Sequence, residues 1–343
     1  MKLPLITTAT DGMKADSGTP PPDSGHRRLH VTAIEENSMK YYPELLRFNR
    51  ADRRLTWEGE TIFVETFPFQ YASPDRPAIA MFNNQLWCVY RLVSGSKLAY
   101  RFSSPQDVDG QWTGGQVIPD QTTVEGPALA VFKDRLYCVY VGTGGDNSLY
   151  YTYWSNVNSS WSDAKKFPKH YSTRGTALAV YDNKLWCVHT GNGRDGSLRY
   201  TTSSDGENWS DDTKFPGQTT ASAPSLFVKG DDLFCVHRGG GDDEVVYCTS
   251  WDRTTWRGSR KMLANSSSIY SSHAPGVAYS ADDKRLIMVL KGRRSDTRLF
   301  YGALRDGNEN WFLNEISKSF SQAGPAVLAA QSTTFCFYRG AES

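Results

Sequence analysis

The sequence predicts an all-β chain, a six-bladed β-propeller whose blades are four-stranded sheets. Two observations carry this. A unit of about fifty residues recurs along the chain, and each copy holds four short runs rich in Val, Tyr, Phe and Trp, separated by Gly, Asp and Asn. Such runs favour strands, and four strands at this period mark a propeller blade.

The first strand of each unit follows Pro77, Pro127, Thr176, Pro224, Pro275 and Pro325, in steps of 50, 49, 48, 51 and 50 residues. The second strand carries a cysteine in LWCVYR (86–91), LYCVYV (136–141), LWCVHT (185–190), LFCVHR (233–238) and TFCFYR (334–339). Cys88, Cys138, Cys187, Cys235, Met288 and Cys336 stand in register. A third strand shares Tyr100, Tyr151, Tyr200, Tyr247 and Tyr301, and a fourth begins at Trp112, Trp161, Trp209, Trp256 and Trp311. The sixth unit stops after two strands. SMKYY (38–42), with Tyr41 on the tyrosine position, and LTW (55–57), with Trp57 on the tryptophan position, supply the missing pair. N-terminal outer strands then pair with C-terminal inner strands, and the ring closes without an open edge. Residues 1–27, rich in Gly, Pro, Ser and Asp, read as a disordered tail, and residues 28–343 as one propeller domain.

Equivalent strands of neighbouring blades stack at about 10 Å, whereas a disulfide needs Cα atoms within about 7 Å. The recurring cysteines are therefore packing residues in separate interfaces, and six free thiols suit a reducing compartment. The N-terminus lacks a secretory pattern, so a cytoplasmic location is expected. A formal net charge of +1 offers no excess for a phosphate backbone, and no apolar run reaches the roughly 18 residues of a membrane span. Neither nucleic acid nor membrane is an expected partner.

Function is sought where the copies disagree. The first strand starts, and the second ends, on one face of the disc. Residues ahead of the first strands are Arg76, Glu125, Arg174, Ser222, His273 and Gln322. Those ending the second strands are Tyr90 and Arg91, Tyr140 and Val141, His189 and Thr190, His237 and Arg238, Leu290 and Lys291, and Tyr338 and Arg339. Together they are expected to ring the channel mouth with Arg, His and Tyr. The loops joining strands two and three (GTGGDNS, GNGRDGS, GGGDDE, GRRSD) read as tight connections using positive φ, because phosphate binding needs a following helix.

The repeats PALAVF, LYCVY and SLYYT resemble the lectin-like β-propellers of bacteria and fungi, in which several blades each hold a sugar. The architecture is also similar to that of fungal propeller enzymes that catalyse hetero-Diels–Alder couplings in tropolone sesquiterpenoid biosynthesis. SSDGENW (203–209) resembles the Asp-box of sialidase-type propellers, one residue short, and reads as a turn. A periodic scaffold with an asymmetric rim favours one central site. The expectation is a natural-product enzyme needing no cofactor and no metal, a pericyclase acting on an aromatic or polyketide-like substrate. His273, His189, His237 or Glu125 would move the proton. Arg76, Arg91, Arg174, Arg238, Lys291, Arg339, Tyr90, Tyr140, Tyr338 and Gln322 would bind the substrate. The alternative is a carbohydrate-binding propeller in which Trp87, Trp154, Trp186 and Trp251 stack on glycans.

Overall fold

The computed structural model describes residues 73–105, 112–282, 284–306, 310–330 and 333–340, and the backbone of residues 27–34, 44–48 and 61–62. The first blade orders its strands Ala78–Phe82, Gln85–Arg91, Lys97–Ser103 and Gln116–Thr122 from the axis outward. The next four repeat this order, with first strands Ala128–Phe132, Ala177–Tyr181, Ser225–Lys229 and Gly276–Ser280. The sixth begins with Ala326–Ala330 and Thr333–Arg339. Consecutive first strands are neighbours, and Ala326–Ala330 lies beside Ala78–Phe82, so six inner strands close a ring around the axis.

The N-terminal segment completes the sixth sheet, as expected. Arg27–Ile34 pairs with Thr333–Arg339, and Glu44–Phe48 and Thr61–Ile62 follow outward. The pairing of Arg27–Ile34 is parallel, Val31 lying opposite Cys336, where the corresponding pairs of the other blades are antiparallel. SMKYY with Tyr41, Trp57 and residues 1–26 lie outside the described residues. The recurring tryptophans precede the outer strands rather than begin them. Trp112 stands ahead of Gln116–Thr122, Trp209 ahead of Thr213–Thr219.

The core is divided into six slabs, each between consecutive blades, and the cysteines show why. Cys138 packs between blades one and two, Cys187 between two and three, and Cys235 between three and four. Met288 fills the slab between four and five, Cys336 that between five and six, and Cys88 the closing slab between six and one. One small soft side chain per slab leaves no two within reach. All six cysteines are free. Burial raises the Cys88 thiol to about 12 and pushes Cys138, Cys187, Cys235 and Cys336 up as well. A thiol reagent is therefore expected to leave these five unlabelled in the native protein, reaching at most the half-buried Cys248, and to find six thiols after unfolding. Rapid native labelling of two or more would contradict this packing.

Tryptophans cluster in alternate slabs. Trp87, Trp154 and Trp161 meet around Tyr100 between blades one and two, and Trp186, Trp251 and Trp256 meet around Tyr200 between three and four. Trp87 and Trp186 are buried there and cannot present a face to a sugar. Trp154 and Trp251 are half-buried, each against its cluster. Among the described residues no helix is long and apolar enough to cross a membrane.

Candidate functional site

A hydroxyl recurs at the start of every blade. Ser73, Thr123, Ser172, Thr220 and Ser321 are buried, and each Oγ donates to the carbonyl oxygen two residues on, at 2.7–3.0 Å. On the fifth blade Ser271 donates instead to the Lys291 carbonyl, and it accepts from the amide of His273. These turns fix the register in which side chains reach the mouth. The register residues are Asp75, Glu125, Arg174, Ser222, His273 and Ala323, which differs from the sequence expectation at two blades. Asp75 holds the position assigned to Arg76, and Ala323 the one assigned to Gln322.

The next residue in each copy lies at the neck of the channel, where backbones converge. In five copies it is small, Gly126, Gly175, Ala223, Ala274 or Gly324, and a Cβ on Gly126 would fall 2.2 Å from the Arg76 carbonyl oxygen. The first blade alone places a long side chain here, Arg76. Its guanidinium crosses the channel and donates to Pro224 O at 2.8 Å and Ser225 Oγ at 2.9 Å on the fourth blade. Burial lowers its pKa to about 10, against the raising effect of Glu125. Arg76 borders both a mouth cavity of about 300 Å³ and a narrower space of about 100 Å³ lined by Ile79, Leu129, Leu178, Leu226, Val277 and Val327. It is the floor of the mouth.

Above that floor the mouth is polar. Arg174 and Glu125 face each other at 3.4 Å. Burial and the neighbouring Asp75 raise the Glu125 carboxyl, opposed by Arg174 and Arg91. Arg238 donates to the carbonyl oxygens of Ser272 at 2.8 Å and Gly241 at 2.6 Å. His273 lies 3.2 Å from Ser272 Oγ, which accepts from Lys291 Nζ at 2.9 Å. Burial first, then the charges of Lys291, Arg238, Arg76 and Arg174, lower the His273 imidazole to about 4. Gln322 also lines the cavity.

Three more expected residues stand just behind the rim. Arg91 pairs with Asp75 at 2.5 Å, Arg339 donates to Pro74 O at 2.8 Å, and Lys291 is buried with its ammonium also on Asp296 O at 3.0 Å.

The structure does not bring His189, His237, Tyr90, Tyr140 or Tyr338 to the mouth. Each stands two residues after the slab-filling cysteine on the same strand, so strand alternation turns it into the same slab. Tyr90, Tyr140 and Tyr338 are packed beside Cys88, Cys138 and Cys336. His189 is fully buried, its Nε2 3.3 Å from Asp212 Oδ1. His237 meets Ser259 Oγ at 2.9 Å and stacks on Tyr247.

The loops behind the rim are scaffold. Gly144, Gly145, Gly193 and Gly241 take positive φ, as expected. An aspartate four residues after the first glycine folds back over it. A Cβ on Gly191 would lie 2.5 Å from Asp195 Oδ2, and one on Gly239 2.2 Å from Asp243 Oδ2. In SSDGENW, Asp205 accepts from the amides of Glu207 and Asn208 at 2.8 and 2.7 Å, a tight turn.

No family model and no curated protein matches the chain. Solved structures do. The lectin SapL1, in complex with alpha methyl fucoside, has a TM-score of 0.57 at 16% identity, covering 79% of this chain and 90% of that one. A mutant of AofleA from Arthrobotrys oligospora has a TM-score of 0.55 at 12% identity, covering 92% and 91%. The fungal lectin of Aleuria aurantia, described as a six-bladed propeller with a novel fucose recognition mode, has 0.55 at 11%, covering 84% and 95%. The fold is that of the lectin-like six-bladed propellers. At these identities the likeness speaks for architecture, and function has to be argued from the mouth.

Proposed function

We propose that the protein binds carbohydrate at the mouth of its central channel. The observation that carries this reading is the chemistry of the cavity wall. Arg174, Glu125, Arg238, Gln322, Ser222 and Ser272 offer hydrogen-bonding groups around about 300 Å³, and the remaining described wall is mostly alanine and glycine. Among the described lining residues there is no phenyl, phenol or indole ring. A hydroxyl-rich ligand satisfies such a surface. An aromatic or polyketide-like substrate would lack apolar walls to hold it. The fucose named for SapL1 and the Aleuria aurantia lectin supports the same ligand class.

The coupling-enzyme reading also loses the histidines expected to donate its proton. His189 and His237 lie in blade interfaces, and His273, held near 4, is neutral at pH 7. A general acid works best with a pKa near the working pH.

A glycan array followed by calorimetry tests this. The expected result is a hit that binds at one site per chain, because Asp75, Glu125, Arg174, Ser222, His273 and Ala323 give the mouth no two adjacent equivalent sectors. A silent array overturns the glycan reading. A stoichiometry of several sugars per chain moves binding from the mouth to the blades.

A further inference from the structure

Charge is distributed unevenly in this molecule. The chain as a whole is +1, yet Arg76, Arg174 and Arg238 line the mouth, and Arg91, Lys291 and Arg339 bond to residues of its wall. The carboxylates among the described lining residues are Asp75 and Glu125. Asp75 is engaged by Arg91, and Glu125 meets Arg174 only at 3.4 Å. Arg76, Arg238 and Lys291 bond to backbone carbonyls and serine hydroxyls, and no described carboxylate lies within ion-pair distance of them, Glu125 acting on Arg76 and Asp296 and Glu244 on Lys291 only from farther off. The Arg238 Nε is buried without a hydrogen-bond acceptor among the described residues.

Withdrawing cations from water without counter-ions is costly, and a concave wall focuses their combined field into the cavity. A guanidinium pair facing such a space matches the two coplanar oxygens of a carboxylate, or two oxygens of a sulfate.

We propose that the mouth seats an anionic group carried on a sugar, a carboxylate or a sulfate ester, between Arg174 and Arg238 above the Arg76 floor. This rests on the glycan reading and names its ligand class as acidic saccharides. Glu125 is then the antagonist of the site, a carboxylate that partly neutralises Arg174 and repels the incoming anion.

The test is calorimetry on the full chain at low salt with methyl galacturonide, galactose 6-sulfate, methyl galactoside and inorganic sulfate. The acidic sugars are expected to bind at least about tenfold tighter than the neutral one, the scale of one charge-assisted hydrogen bond. Arg174→Gln should cut the acidic-to-neutral ratio about tenfold, and Glu125→Gln should raise it several-fold. Arg253→Gln, on an exposed outer turn, should change neither. A uronide favoured over the sulfate ester, or the reverse, identifies which oxyanion is preferred, and competition by inorganic sulfate supports the seat. Equal affinity for acidic and neutral sugars overturns the charge proposal while the glycan reading stands. Binding of no saccharide at all overturns both, and sulfate binding without saccharide binding replaces the proposal with a free-oxyanion site. A Glu125→Gln variant that lowers the ratio also overturns it.

Discussion

Trp186→Ala is expected to lower the free energy of unfolding by about 3–5 kcal/mol, the range for truncating a buried large aromatic. Trp186 is 4% exposed at the centre of the slab between blades three and four. It stacks on Tyr200 at 5.6 Å and meets Trp251 at 5.0 Å and Trp256 at 6.3 Å. Its Nε1 donates to the Tyr181 carbonyl at 3.1 Å. The slab joins two blades that otherwise meet mainly through their inner strands, so the cavity left behind cannot collapse without tilting a whole sheet. The equivalent Trp87 gives an internal control. It occupies the same place between blades one and two, but its Nε1 is buried with no hydrogen-bond partner among the described residues. Trp87→Phe removes an unsatisfied donor, whereas Trp186→Phe removes a made bond. Trp186→Phe should therefore cost about 1 kcal/mol more than Trp87→Phe. Urea midpoints at matched m-values measure both comparisons. A loss below about 1 kcal/mol for Trp186→Ala, or the reverse order for the Phe pair, would show that these clusters do not bind the blades together.

The scaffold was legible because each blade solves the same packing problem, and five or six copies print the answer side by side. The mouth was legible only in part. Proline served as the sequence anchor, and it stands one residue beyond the neck position, so the first blade was read one place late at Arg76 and the sixth one place early at Gln322. The better anchor was present in the sequence. A serine or threonine stands four residues before each first-strand Pro or Thr, at Ser73, Thr123, Ser172, Thr220, Ser271 and Ser321, and its hydroxyl sets the turn. The misplacement of His189, His237 and the three tyrosines has a simpler cause. A cysteine read as slab filling commits the residue two further along to the same slab, and that alternation was not carried to the strand end. Arg27–Ile34 escaped because a strand that pairs in parallel, and follows no inner pair of its own, carries no copy of the repeat. What no repeat comparison can give is the depth of a charge. That Arg76 spans the channel depends on a partner 148 residues away.

Acidification is expected to destabilise the protein between pH 7 and 4, before most of its carboxylates titrate. An unfolded histidine takes up a proton near 6.5. In the folded protein burial lowers His170 and His237, and burial with the charges of Lys291, Arg238, Arg76 and Arg174 lowers His273 to about 4. Below pH 6.5 the unfolded chain therefore binds protons that the folded chain refuses, so stability falls as pH falls, and the loss from His273 is complete below about 4. At 1.36 kcal/mol per unit the ceiling for His273 is about 3 kcal/mol, and the open side of the cavity reduces it toward 2. The hydrogen-bonded aspartates cannot produce this window. Asp195 and Asp252, lowered to about 2 by their turn hydroxyls and amides, cost stability only below the unfolded value near 4. Glu125 works the other way, since its raised carboxyl accepts a proton in the folded state first and offsets a little of the loss. Urea titrations at pH 7.5, 6, 5 and 4.5 measure the slope, and His273→Gln should flatten it by about one proton's worth. A wild-type profile as flat as that of His273→Gln would mean that neither burial nor the cations of the mouth depress the imidazole. A saturating acidic sugar should lessen the slope only in part, because an anion seated among Arg76, Arg174, Arg238 and Lys291 offsets their charges but not the burial that lowers His273 most.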